Sequence, residues 1–416
     1  MGALLESLAE GFDGDATQRA TLDAVVRRGL PQTHSESWKY TSLRALERRS
    51  FASSASAARV EAAALESIPA PRLVFVNGRH DAALSELAGL PAGVTLFPRS
   101  RGTVKRIAMA ELDSTADDVF VQIGLALANE GASIDIGNDA RGGNPVHLVF
   151  VGTAAEADLA WHLRHEIVVG EGADITVVEH QLGCGTHAHL DNAVMHVALS
   201  PHSRLVHVRV QNGAIAGTSL LRTEVSVAAS AIYERLDLEL GAGLSRHEFK
   251  VQLTGQGASL VSNGVLLAQG RSHVDARLDI EHVARDTSSQ VNWRGLATDR
   301  GRAVFRGGIT IRPGADGSDA RLSNKNLLLS DAAEIDTQPV LEIHADEVKA
   351  AHGATVGRLD PAAMFYLRSR GLPESEARGL LTSAFCREPL GMVEDRSLRD
   401  FLVSAIDDSL TGLRGG

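Results

Sequence analysis

"NAVMHVALSPHSRLVHVRVQ", Asn192 to Gln211, holds two runs of β-type residues around a Ser-Pro-His-Ser break. Valine, branched at Cβ, favours extended backbone, and proline removes a donor from a strand's hydrogen-bond ladder. In the second run Leu205, His207 and Arg209 fall on one side and valines on the other, because successive side chains alternate. Similar runs lie on both sides: "RLVFVNGRH", "PVHLVFVG" and "HEIVVGEGADITVVEH" before it, "RTEVSVAASAIYERLDLEL" after it. Pro71 to Ala351 is therefore dense in short strands separated by Gly, Asn, Asp and Ser, with no long helix expected across Pro201 to Ala345.

Turn signals near Gly172, Pro201, Ala229, Gly257 and Gly301 stand about 29, 28, 28 and 44 residues apart, the last gap reading as about two short repeats. Loose recurrence on this scale, with aromatics at only 4%, fits a solenoid of strands in which each turn stacks on the next. A β-sandwich shows similar strands, and the pattern leaves both open.

The two ends differ from the middle. "TLDAVVRRGL" puts Leu22, Val25, Val26 and Leu30 on one helical face, and Pro31 ends that helix. Near the other end Asp360 is a helix N-cap, Pro361 stands at the first helical position, and Gly371 is a stop. Two more helices follow. One puts Ala377, Leu380, Leu381, Ala384 and Phe385 on a face, the other Leu398, Phe401, Leu402, Ala405 and Ile406. The pattern favours packing of these faces on the β core over the docking of a partner.

The 416 residues suffice for a large core, and no apolar run approaches a membrane span. The N-terminus lacks the basic-then-apolar layout of a signal peptide, so a cytoplasmic protein is expected. A net charge of −11 argues against a nucleic-acid binder. Two cysteines, Cys184 and Cys386, without CxxC spacing exclude a disulfide framework, an all-cysteine zinc site and a four-cysteine cluster site within this chain. Phosphate-loop, GxSxG and HExxH motifs are absent. What remains is histidine. His187, His189, His196, His202 and His207 crowd one stretch, and two imidazoles on one strand face suit zinc or another divalent metal. That supports one reading, a metal-dependent β-fold enzyme. Half-buried histidines on a solenoid face are the plainer reading. "WHLRHE" is weaker, since His162 and His165 point to opposite faces of a strand. His352 stands alone, with no other histidine, cysteine or carboxylate in the seven residues that follow it.

"NLLLS", "QPVLEI", "HGATVGRLD" and "FYLRSRG", with the earlier "HVARDTSSQVNWRGLATDRGRAVFRGGI" and the N-terminal "LPQTHSESWKYTSL", resemble the SufB/SufD family of iron–sulfur cluster assembly scaffolds, on its SufD side. The resemblance runs from about residue 30 to about 390. It implies a mainly β fold: a right-handed parallel β-helix core flanked by N-terminal and C-terminal helical regions. The expected division is a mainly helical region with a few short strands over 1–100, the β-helix over 101–352 and a C-terminal helical region over 353–416. It further implies pairing with SufB through the β-helix ends, and binding of the SufC ATPase through the helices Glu374–Phe385 and Leu398–Leu410. The iron–sulfur cluster would be transient, held by the complex and not firmly by this chain. A homodimer in isolation is compatible with an exposed strand edge. No catalytic residues are implied, so a non-enzymatic scaffold is expected.

On this resemblance His352 matches the SufD histidine that faces a SufB cysteine across the interface, making it a ligand for iron or a nascent cluster shared with SufB. Imidazole replaces thiolate at some iron–sulfur centres. The family often has a cysteine shortly before this histidine; here Ala350 and Ala351 stand instead. The competing role for His352 is an interface histidine that never meets metal.

Overall fold

The computed structural model describes residues 2–54, 60–100 and 118–411. Its core is a parallel β-solenoid of about eight turns. Successive strands go alternately to two ten-stranded sheets, so each turn gives one strand to each sheet. Pairing is parallel throughout the body and antiparallel only at the N-terminal end, where Val94–Ser100 pairs with Glu130–Ile136 and Arg72–Val76 with Arg79–His80.

The turn period comes from corner residues in the left-handed backbone region. Gly172, His202, Ser230, Gly257, Asp286 and Gly317, all with positive φ, follow one another along one corner at intervals of roughly 30 residues. Ala242, Gly270 and Asp299 do the same along the opposite corner. Gly301 lies beside Asp299, so the apparent 44-residue gap is one turn plus a crossing to the other corner, not two short repeats. Asp286 and Gly317 are the markers the composition-based signal missed.

Register stacks like residues in columns. Leu205 lies between Ile175 and Tyr233, and all three are buried inside the solenoid. Both faces of "LVHVRV" turn out to be buried. Leu205, His207 and Arg209 point inward at 0% exposure, while Val208 and Val210 pack outward under the C-terminal helices.

At the N-terminus α1 (Ala3–Glu10), α2 (Ala16–Arg28), the single turn α3 (Arg44–Glu47) and α4 (Val119–Leu127) bury Leu4, Leu8, Val25, Leu46 and Ile123 with Ala160, Leu190 and Leu220 of one sheet. The segment carrying the Ser-Glu-Ser-Trp-Lys-Tyr-Thr motif lies across that sheet's strands. Trp38 sits under the Arg246 guanidinium, 3.8 Å from the ring centroid. Arg246 and Arg277 both donate to the Ser37 carbonyl, and Thr41 donates to Asp275 at 2.5 Å.

At the C-terminus come α5 (Pro361–Ser369), α6 (Glu374–Arg387) and α7 (Arg396–Thr411). Asp360 caps α5 by accepting from the Ala362 N–H at 2.9 Å, as its sequence indicates. The α7 stripe Leu398, Leu402, Ile406 and Leu410 is buried against Val208, Val210, Leu236, Leu238, Val265 and Leu296 of the other sheet. On α6 the buried face is Ala377, Thr382, Ser383 and Cys386, rotated from the apolar set read in the sequence, and Leu380 is left 52% exposed. Both cysteines are free. Burial pushes the Cys386 thiol up to about 12, and Cys184 is half-exposed.

The last strand runs Lys349–Gly357, so an end of the β-helix at residue 352 falls inside it. A boundary between residues 100 and 101 lies at the edge of a segment outside the described residues, as does 412–416.

Candidate functional site

The C-terminal end of the solenoid is open. The strands Glu334–Ile343 and Lys349–Gly357 end the two sheets, each paired on one side only, with Arg302–Ile311 and Asp319–Leu328. Their free edges present unpaired backbone donors and acceptors. Residues that would be sealed mid-solenoid are uncovered here. Ile343 and Val356 are each 44% exposed, whereas Ile311, one turn back from Ile343, is 0% exposed. The end is thus a cross-section through a hydrophobic core, and burying such a surface is the main driving force for association.

His352 sits in this last strand, opposite Leu322, which in turn lies opposite Val291. Leu322 and Val291 belong to the solenoid's interior, so His352 continues an inward-facing column. It is exposed only because no further turn covers it. Beneath it the interior turns polar. Asn324 and Asn326 are buried, and the Asn324 Oδ1 accepts from Asn326 Nδ2 at 2.6 Å and from Thr337 Oγ1 at 2.7 Å. A lone imidazole offers one coordination bond. Among the described residues the only group of three or more His, Cys, Asp or Glu side chains with donor atoms mutually close is Asp237, Glu239 and His247, and it does not include His352.

That trio lies deep inside the solenoid and is already occupied by arginines. Arg235 holds Asp237 through Nε and Nη2, at 3.0 and 2.7 Å, and Glu179 through Nη1 at 3.0 Å. Arg209 and Ser245 hold Glu239. His207 Nε2 lies 2.7 Å from Glu179 and its Nδ1 2.9 Å from the Tyr233 hydroxyl. Guanidiniums on both carboxylates repel a cation, so the geometry is that of an internal ionic network. The column Glu179–Arg209–Asp237 alternates in sign at one-turn spacing. That alternation is the sequence signal that would have found the network.

The crowded histidines do not converge. His187 and His189 stack with ring centroids 4.3 Å apart in the loop before Leu190–Leu199. His189 is spent on backbone, accepting from the Leu159 N–H at 3.0 Å and lying 2.9 Å from the Thr153 carbonyl. His196 faces outward beside Glu224, His202 is a corner residue, and His207 is inside. Among the described residues these histidines therefore do not come together as the ligand cluster that the metal-enzyme reading expects. His162 and His165 do point to opposite faces: His162 packs with Asn192 under α4, and His165 Nδ1 accepts from the Ala132 N–H in the interior.

A second exposed surface lies on α5 and α6. Phe365 is 75% exposed, Tyr366 57% and Leu380 52%, beside a groove of about 960 Å³ between α5 and the strand end at Leu328 and Leu329. The expected docking role of α7 is not available to its apolar stripe, which the β core consumes. Among the described residues, no helix is long and apolar enough to cross a membrane.

Comparison with known proteins finds a match to the family model "SUF system FeS cluster assembly, SufBD core domain" over residues 150–385. The chain is 31% identical over 412 residues to the iron–sulfur cluster assembly protein SufD of Escherichia coli, covering 96% of this chain and 95% of that protein. It is 27% identical to an iron–sulfur cluster assembly SufBD family protein of Synechocystis sp., over 92% of this chain and 88% of the relative. A SufBD family protein of Mycobacterium leprae is 29% identical over 67% of this chain and 71% of its own length.

Proposed function

From the premise that this chain belongs to the SufB/SufD family of iron–sulfur cluster assembly proteins and is SufD-like, we propose that it is a non-catalytic scaffold subunit that pairs with SufB and binds the SufC ATPase. The observation that carries this reading is the uncapped β-helix end with His352 in its inward-facing column. A surface of that kind fits another strand-edged end, whose strands would continue both sheets and bury Ile343 and Val356. His352 would then stand at the seam and give one lone pair to an iron of the cluster being assembled, with SufB supplying the remaining ligands. The cluster is cargo, held by the complex and passed on.

The His352→Ala variant tests the site. Its strand is held by backbone pairing to Asp319–Leu328, so folding and co-purification with SufB and SufC are expected to stay near the parent level. Cluster assembly on the complex, followed by visible absorption and by iron and sulfide content, is expected to fall sharply. Assembly at the parent rate would reduce His352 to an interface residue.

SufC docking is assigned to the α5–α6 surface. Exposed aromatic and aliphatic side chains on adjacent helices are what a partner's apolar pocket needs. Removing everything after Leu372 is a poor test, because it strips the cover from Val208, Val210, Leu236 and Leu296. The double variant Phe365→Ala, Tyr366→Ala leaves that cover in place. SufC capture by the purified chain is expected to weaken by roughly tenfold or more, since each truncated anchor costs at least about 1 kcal/mol. Undiminished capture removes the assignment.

A further inference from the structure

A buried polar chain connects the C-terminal helical layer to the open end. It begins at Glu388, in the 3-10 turn Glu388–Met392 that follows α6. Glu388 is gripped by Arg294, Nε to Oε2 at 2.9 Å and Nη2 to Oε1 at 2.5 Å, a two-pronged contact whose arginine is 1% exposed. The third arm of the same guanidinium, Nη1, donates to the Trp293 carbonyl at 3.0 Å. Asn324 Nδ2 approaches that carbonyl from the next turn at 3.5 Å, the longest contact of the set. Asn324 Oδ1 gathers Asn326 Nδ2 and Thr337 Oγ1. Asn326 Nδ2 also donates to the Thr355 carbonyl at 3.0 Å. The chain therefore starts on the helices and ends on both terminal strands, at Thr337 in one and Thr355 in the other, three residues from His352.

Three features make this more than a set of neighbours. Arg294, Asn324 and Asn326 are each at most 3% exposed, so water does not stand in for a lost partner. Gly295 leaves the space that the Asn326 side chain fills; a methyl group there would collide with its amide oxygen. The turn at Glu388 is pinned a second time, by Asn263 Nδ2 donating to the Pro389 carbonyl at 2.8 Å, so a shift of α6 pulls on strands and not on solvent.

We propose that Arg294, Asn324 and Asn326 are positioning residues that transmit the placement of the α6 end to the last turn of the β-helix. A partner that moves α6 would thereby move the strand bearing His352. The consequence for cluster assembly rests on the function proposed above; the link itself does not, and is read on the isolated full chain. Coupling of this kind is a free energy shared between two places, so loosening one end must loosen the other.

Hydrogen–deuterium exchange with mass-spectrometric readout tests it. Glu388→Ala removes a half-exposed side chain far from the last strand. It is expected to speed exchange in 349–357 by roughly tenfold, the scale of losing a charge-assisted hydrogen bond. Asp407→Ala is the control. It removes contacts to Ser383 and Arg387 in the same helical layer without touching Arg294, and should leave 349–357 at parent rates. In an Asn326→Ala background, where the chain is already cut, Glu388→Ala should add nothing further at 349–357. The proposal fails if Glu388→Ala leaves 349–357 unchanged, if Asp407→Ala loosens it equally, or if the two substitutions on the chain act additively. Because no partner is present, loss of the SufB or SufC reading leaves this result standing, and the reverse also holds.

Discussion

Acidification from pH 7 to between about 5 and 6 is expected to unfold this protein, far above the range where carboxylates alone would do so. The cause is buried neutral histidine. Burial, the largest cause in each case, holds His147, His165, His196 and His282 at about 4 and His162, His180 and His247 at about 3. Neighbouring arginines add to the effect at His147, beside Arg72, and at His196, beside Arg164. In the unfolded chain each titrates near 6.5. Below that pH the unfolded state takes up protons that the folded state refuses, so the stability present above about 6.5 is lost from there down to about 4. Each such group costs about 1.4 kcal/mol per pH unit, and seven together cost on the order of 10 kcal/mol per unit, comparable to the whole stability of a domain. Glu248 works in the same direction at lower pH. Burial alone would raise it, but Arg246 and Arg222 hold it at about 2. Asp191, raised to about 6 by burial, opposes the trend as a single group. Far-ultraviolet circular dichroism across a pH titration reads the transition. A chain that keeps its native spectrum at pH 4.5 would contradict the burial of these histidines.

The second large effect is expected at Arg235→Met. The methionine fills similar space but leaves Glu179 and Asp237 in the solenoid interior, both at 1% exposure or less, without the guanidinium that bonds to both. Breaking a buried ionic contact from one side leaves an uncompensated charge, and the expected loss is about 3–5 kcal/mol. His207, 2.7 Å from Glu179, cannot replace the arginine without taking up a proton itself, and its burial and Arg235 both disfavour that charge in the parent. Replacing Glu179, Arg235 and Asp237 together by leucine or methionine is expected to cost less than the single change, because no charge is then stranded. Urea unfolding of the three proteins measures this. A loss below about 0.5 kcal/mol for Arg235→Met, the size of an ordinary surface substitution, would mean that the network carries no such strain when broken.

Some of this molecule was open to reading from residues alone. The valine-rich runs and their turn residues mark strands, because backbone preference and side-chain alternation are local. The loose recurrence near 30 residues is what a solenoid's repeated corner geometry produces, but by itself it leaves a β-sandwich open, and the family resemblance points to the β-helix. Asp360-Pro361 marks the start of α5, but the β-helix end read at His352 is placed too early, since the last strand carries on to Gly357. What the chain could not reveal locally is which face is inside. In "LVHVRV" alternation separates two faces, yet the valine face lies outward beneath α7 while His207 and Arg209 are sealed within. Hydrophobicity fails as a guide there because both faces are buried and the inner charges are neutralised by residues about 30 positions away. For α7 the apolar pattern already favours packing on the β core, and the tertiary structure shows which strands it covers and that they use up the whole stripe. Local reading also fails for the link from Glu388 to Thr355, since Arg294 and Glu388 are 94 residues apart in the chain and meet only once the helices fold back over the sheet. Local rules set the strands, turns and caps; burial, charge pairing and exposure depend on which distant segment arrives alongside, and only the tertiary structure decides that.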